Sequence, residues 1–190
     1  MSALVNPDPP RLTSDEFLAW EEQQEGRHEF IDGEIQAMVG GTLTHAKIVF
    51  NLAKILDAAI ADPENCVMYD ESVKFRWDGD LFYPDVMVTC EEHRPGREWV
   101  ELPVVLAEVL SPSTQARDRD RKWPRYQRVP SLQTFLLVAQ HRPWVQVFRR
   151  TQDGWTATTY DSLGDGFEVA HPACTVALKD IYRRVPLPAS

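Results

Sequence analysis

The chain has 190 residues, 43% of them hydrophobic and 26% charged, with a formal net charge of −9. That length suits one domain with a sizeable core, and the composition is that of an ordinary globular protein. The acidic balance argues against a protein that coats nucleic acid non-specifically, and no apolar run is long enough for a membrane span.

Residues 1–12 have neither the basic start nor the apolar core of a signal peptide and are expected to form a disordered lead. Thr13-Ser14-Asp15-Glu16 is a capping box that opens a short helix, with Phe17, Leu18 and Trp20 as core candidates. A hairpin over Glu29–Ile35 turns at Asp32-Gly33. After Gly40-Gly41, a helix capped by Thr42 or Thr44 runs to about Ala61. Its residues Ile48, Val49, Leu52, Leu56 and Ile60 keep the helical period, and Asp62-Pro63 stops it. Alternation from Val67 to Trp77 predicts one long strand, Asp78-Gly79-Asp80 a turn, and Phe82–Thr89 the next strand.

Pro103 introduces the densest apolar run, Val104–Leu110, which belongs near a sheet centre. A helix of mixed charge follows Ser111-Pro112-Ser113-Thr114, and Pro124 should kink or restart it. Strands are expected over Thr134–Ala139, Val145–Arg150 and Trp155–Tyr160. An edge strand near Val176–Leu178 and a terminal helix over Lys179–Arg184 complete the pattern. The whole is α/β or α+β: one domain over residues 13–185, with 186–190 as a tail.

Three cysteines, Cys66, Cys90 and Cys174, are odd in number, widely spaced and without a CxxC pair. This spacing suggests neither a disulfide framework nor a zinc site, and a reducing cytoplasm is the expected setting. The stretch 111–150 holds nine Lys/Arg and two acids, a local charge of +7 in an acidic chain. It begins just after Glu108, as a basic rim beside an acidic centre would. The plainer reading is a solvated helix face and a basic hairpin.

Chemistry is suggested by two acids in apolar strands, Asp85 in Tyr83-Pro84-Asp85-Val86 and Glu108 in Leu106-Ala107-Glu108-Val109. A buried carboxylate is costly unless something pairs with it. If the two faces coincide, both acids can grip one Mg²⁺ or Mn²⁺, ions that favour oxygen ligands. Otherwise each acid simply ends its strand near solvent. Lys122 shares a helix face with Asp118 and Tyr126 and could hold charge developing on a phosphate, or form an ordinary i,i+4 ion pair. Glu29 and Glu34 flank the hairpin turn, and either could be a third carboxylate. His45 lies beside Ile48, Val49 and Leu52, as a core histidine would, yet could touch a metal site or a phosphate. No second histidine has zinc-ligand spacing, and no phosphate-binding loop or nucleophile elbow is present. Trp99, Trp123, Trp144 and Trp155 read as core or interface residues.

Taken in order, these motifs resemble the Uma2 family of the PD-(D/E)xK nuclease superfamily over roughly residues 13–185. They are His28-Glu29-Phe30-Ile31-Asp32-Gly33-Glu34-Ile35, His45, Tyr83-Pro84-Asp85-Val86 and Glu108-Val109-Leu110-Ser111-Pro112-Ser113-Thr114. Asp118, Lys122, Tyr126 and Pro130-Ser131-Leu132-Gln133 follow. The resemblance implies a restriction-endonuclease-like core, a mixed central sheet flanked by helices. It implies metal ligation by Asp85, Glu108 and the Val109 backbone carbonyl. The lysine usual two positions after the second acid is here Leu110, and Lys122 is the expected replacement. Glu34 or Glu29 matches an early acid that assists the metal. The implied activity is metal-dependent hydrolysis of DNA, with a homodimer plausible because duplex cleavage needs two cuts. The alternative is a nuclease fold that binds nucleic acid or a regulatory partner without catalysis.

Overall fold

The computed structural model describes residues 12–38, 40–61, 65–92, 94–111 and 118–187. Nearly all of the expected lead, the Asp62-Pro63 stop and the Pro112-Ser113-Thr114 motif lie outside them.

Strand β8 (Pro103–Leu110) is the hub. It lies inside a six-stranded sheet of order β11-β10-β9-β8-β6-β3, formed with β3 (Val67–Asp70), β6 (Val86–Thr89), β9 (Thr134–Ala139), β10 (Val145–Thr151) and β11 (Gly154–Tyr160). The β8–β9 pair is parallel and the other described pairs are antiparallel, so the sheet is mixed as the sequence predicts. Alternate β8 residues feed two cores, because strand side chains alternate between faces. Val105, Ala107 and Val109 pack with Ile48, Leu52 and Leu56 of helix α2 (Leu43–Ala58). Leu106 and Leu110 pack with Met87, Phe75, Phe82, Tyr126 and Phe135 on the opposite side.

That second side is covered by a five-stranded sheet of order β2-β1-β5-β4-β7. Its strands are β1 (His28–Ile31), β2 (Glu34–Ala37), β4 (Lys74–Trp77), β5 (Asp80–Phe82) and β7 (Trp99–Val100). The β1–β2 hairpin turns at Asp32 (φ 58°) and Gly33 (φ 77°), as the Asp-Gly pair predicts. Helix α1 (Ser14–Glu21) carries the capping box and buries Phe17 against Phe30 and Leu81.

The predicted strand from Val67 to Trp77 is two strands in two different sheets. The Asp70 carboxylate accepts from the Ser72 backbone N–H at 3.0 Å, and Val73 N–H donates to the Asp70 carbonyl. This side-chain turn competes locally with the extended ladder. The predicted Phe82–Thr89 strand also breaks, between β5 and β6, around Pro84, which has no N–H to offer a ladder. The chain thus leaves the six-stranded sheet at 71–73 and returns at 83–85.

The cysteine reading is corrected by a Cys66–Cys90 disulfide. The antiparallel register Val67↔Thr89 sets the two flanking cysteines opposite one another, which linear spacing does not show. Toward the C-terminus, Pro124 lies in the first turn of a short helix, α3 (Trp123–Tyr126), following a π-helical turn over Asp118–Lys122. The small β12–β13 pair (Gly166–Val169, Cys174–Ala177) and helix α4 (Leu178–Ile181) close the first core. Buried Asn51 ties α2 to that end by donating to the carbonyls of Ile181 and Arg183 at 2.8 and 2.9 Å.

Candidate metal centre and the buried lysine cluster

Asp85 follows Pro84 at the crossing from β5 to β6, next to the C-terminal end of β8. Its Oδ2 accepts the Val109 backbone N–H at 2.5 Å. The same oxygen lies 3.2 Å from His45 Nε2. His45 occupies the first turn of α2, whose N-cap Thr42 accepts the His45 N–H through its hydroxyl at 3.1 Å. Both side chains, His45 and Asp85, are 14% exposed. Gly41 admits the ring: a Cβ there would stand 2.7 Å from His45 Nδ1. Burial disfavours the imidazolium, but the Asp85 hydrogen bond and the charges of Asp85, Glu71 and Asp118 outweigh it and raise the His45 pKa.

Glu71, at the first crossing between the sheets, completes the set. One ligand atom from each of His45, Glu71 and Asp85 lies within 4.8 Å of the other two. One imidazole nitrogen and two carboxylates form a donor set suited to a divalent transition ion such as Mn²⁺. Sequence reasoning missed Glu71, because the alternation through residues 67–77 made it one more strand residue. The chain's reversal at Asp70–Val73 is the signal that exposes it.

A second cluster adjoins the first. Glu108 faces the five-stranded sheet between Leu106 and Leu110, as the strand period predicts, and is 3% exposed. Lys122 Nζ lies 3.0 Å from Glu108 Oε1, 2.8 Å from Glu29 Oε1 and 3.6 Å from Asp118 Oδ1. Tyr126 Oη donates to the same Glu108 oxygen at 2.9 Å. Glu29 also accepts the Tyr83 N–H, so the first strand is bound to the segment that carries Asp85. Burial pushes the Glu108 carboxyl well up, against the pull of Lys122, and neighbouring acids add to the rise. For Lys122 burial acts downward, but Glu108, Glu29 and Asp118 overcome it and hold the ammonium protonated. Burial and then Glu108 raise the Tyr126 hydroxyl.

The structure therefore gathers Asp85 and His45 at one centre and Glu108, Lys122 and Glu29 at the next, linked by the Val109 N–H on Asp85. Glu34 is not brought to either. It lies on exposed β2, 2.8 Å from Arg121. The basic stretch is largely spent on internal pairing. Arg121 meets Glu34 and Asp32, Arg125 meets Asp32 and Asp80, and Arg128 meets Asp78. Arg150 donates to the carbonyls of Leu132, Gln127 and Val129. Among the described residues no helix is long and apolar enough to cross a membrane.

A mixed central sheet flanked by helices, with an aspartate just before β6 and a glutamate on the neighbouring β8, has the architecture of a restriction-endonuclease-like core. The profile of the Uma2 family, described as "Putative restriction endonuclease", matches residues 14–178, and the chain belongs to that family. It is 34% identical over 178 residues to "Uncharacterized protein slr1290" of Synechocystis sp., covering 92% of this chain and 93% of that one. It is 33% identical over 163 residues to "Uncharacterized protein sll1609" of the same organism, covering 83% and 91%. The crystal structure of a "putative nuclease belonging to DUF820" from Anabaena variabilis superposes with a TM-score of 0.75 at 19% identity, over 90% of this chain and 97% of that one. At that identity the likeness speaks to fold.

Proposed function

We propose that this protein is a metal-dependent endonuclease that hydrolyses DNA phosphodiester bonds. The observation that carries the reading is the convergence of His45, Glu71 and Asp85 beside the Glu108–Lys122 pair, in a family with a nuclease fold. A bound divalent ion would polarise the scissile phosphate and lower the pKa of an attacking water. Asp85 and His45 would hold it with Glu71, and the imidazole favours Mn²⁺ over Mg²⁺. Glu108 and the carbonyl of Val109, whose N–H is held by Asp85, are the further ligands the reading assigns. Lys122 takes the place of the lysine missing at Leu110. Held protonated, it fixes Glu108 and offsets negative charge as it develops on the phosphate. Glu29 orients Lys122. A homodimer would allow both strands of a duplex to be cut.

The test is cleavage of plasmid and single-stranded DNA with Mn²⁺ or Mg²⁺, with EDTA as control, beside Asp85→Asn and Glu71→Gln. Cleavage that needs the metal and is lost in both variants supports the reading. Cleavage that survives EDTA overturns it.

One observation favours a second reading, a nuclease fold that binds nucleic acid without cutting. The Lys122 side chain is only 3% exposed and already engaged by three carboxylates. Metal binding by calorimetry with no cleavage of any substrate is the outcome that reading expects.

A further inference from the structure

Two arginines of the basic stretch differ from their neighbours. Arg119 and Arg142 form no ion pair with a carboxylate among the described residues, whereas Arg121, Arg125 and Arg128 all do. Both instead lie over the Trp144 ring, with guanidinium carbons 5.1 and 5.7 Å from its centroid. A guanidinium that lies over a ring rather than on a carboxylate retains N–H donors for an oxyanion. Arg119 Nε is buried with no hydrogen-bond partner.

The turn that carries Trp144 holds a second donor of this kind. Gln140, 6% exposed, follows the last residue of β9. Its Oε1 accepts from the Thr42 hydroxyl at 2.9 Å, while its Nε2 is buried and has no partner. A buried amide donor left unpaired is costly, so such a group is usually satisfied by a ligand or a water. The turn itself is fixed. Ala139 N–H donates to the Trp144 carbonyl at 3.0 Å, and the Tyr182 hydroxyl accepts the Trp144 N–H at 3.1 Å. Thr42, which holds Gln140, also accepts the N–H of His45, so this turn is joined to the metal centre through one residue.

We propose that Arg119 and Arg142, over Trp144, together with Gln140 of the same turn, form a binding site for a backbone phosphate of the nucleic-acid strand next to the candidate metal centre. The inference rests on the nucleic-acid reading above and adds to it the part of the substrate that these residues hold. Two guanidinium edges and one carboxamide N–H match the acceptor oxygens of a phosphodiester and carry no base preference. The site therefore positions the strand rather than reading its sequence.

The experiment measures binding of a short fluorescein-labelled DNA strand by anisotropy, in EDTA so that nothing is cut, across a salt series. Arg142→Glu lies on an exposed residue and spares the fold. Gln140→Glu keeps the acceptor for Thr42 and removes the free donor. Each is expected to weaken binding about tenfold or more, and Arg142→Ala to reduce the salt slope by about one. Metal affinity measured by calorimetry should be unchanged in Arg142→Glu. Wild-type affinity in both Arg142→Glu and Gln140→Glu overturns the site, and so does displacement of the strand by an equal concentration of inorganic phosphate. A wild-type protein that binds metal but no strand also overturns it, leaving the metal centre intact. Strand binding that depends on Gln140 and Arg142 without any metal binding upholds the site and removes the nuclease reading instead.

Discussion

Lys122 Nζ lies 2.8 Å from Glu29 Oε1, so a helix-borne lysine is fastened to the first strand of the other sheet deep inside the fold. The same ammonium contacts Glu108 at the centre of the six-stranded sheet. One side chain thus connects β1, β8 and the helical segment, and its removal would strand buried carboxylates without their cation. Lys122→Met is expected to lower the unfolding free energy by about 3–5 kcal/mol. The double variant Lys122→Met/Glu108→Gln should recover part of that loss, because the orphaned charge is gone. Urea unfolding of the three proteins checks this. A single variant as stable as wild type contradicts it.

Neutralising a carboxylate of the candidate metal centre should act on ion affinity before it acts on stability. Asp85→Asn and Glu71→Gln are each expected to weaken Mn²⁺ binding about a hundredfold or more. Glu34→Gln should leave it unchanged, since Glu34 is on exposed β2 beside Arg121. Titration calorimetry gives the three affinities directly. Equal losses for Glu71→Gln and Glu34→Gln would remove Glu71 from the centre.

The Cys66–Cys90 bond closes a loop with a sequence separation of 24. Loop-closure entropy for a ring of that size gives a stabilisation of about 3 kcal/mol. Cys66→Ser/Cys90→Ser should unfold at correspondingly lower urea, and reductant should shift only the wild type. Identical midpoints with and without reductant would show that the bond contributes nothing.

Tyr182 supplies a pH dependence. Burial moves its hydroxyl up to about 12 from an ordinary value of 10.0. Between those two values the folded chain keeps a proton that the unfolded chain has lost. The associated stability is therefore present below pH 10.0 and is lost as pH rises toward 12. Two pH units correspond to about 3 kcal/mol at most. Tyr182→Phe should be less stable than wild type near neutrality, because the Trp144 N–H loses its acceptor. It should also show a shallower decline above pH 10.0. Unfolding curves of both proteins at neutral and alkaline pH measure the difference, and parallel declines would refute it.

The parts of the fold legible in the sequence are those fixed by local pattern. The apolar run of β8, the period of α2 and the Asp-Gly turn of the first hairpin each follow from neighbours in the chain. The face of Glu108 was readable for the same reason, since a period of two needs only the strand. Pairings that depend on register were not. Cys66 meets Cys90 because β3 runs antiparallel to β6, and Glu71 meets Asp85 because the chain changes sheets beside each of them. Gln140 carried no signal, because a glutamine in a loop is ordinary until its buried amide is seen without a partner.

Glu71 and Asp85 stand at the two places where the chain passes between its sheets. Each is tied to a different piece of hinge-like connection, one closed by the Asp70–Ser72 turn and the other by Pro84. A cation drawing those carboxylates together would act as a rivet through the seam. Loading the centre would then stiffen the molecule as a whole, making the two sheets resist shear as one body.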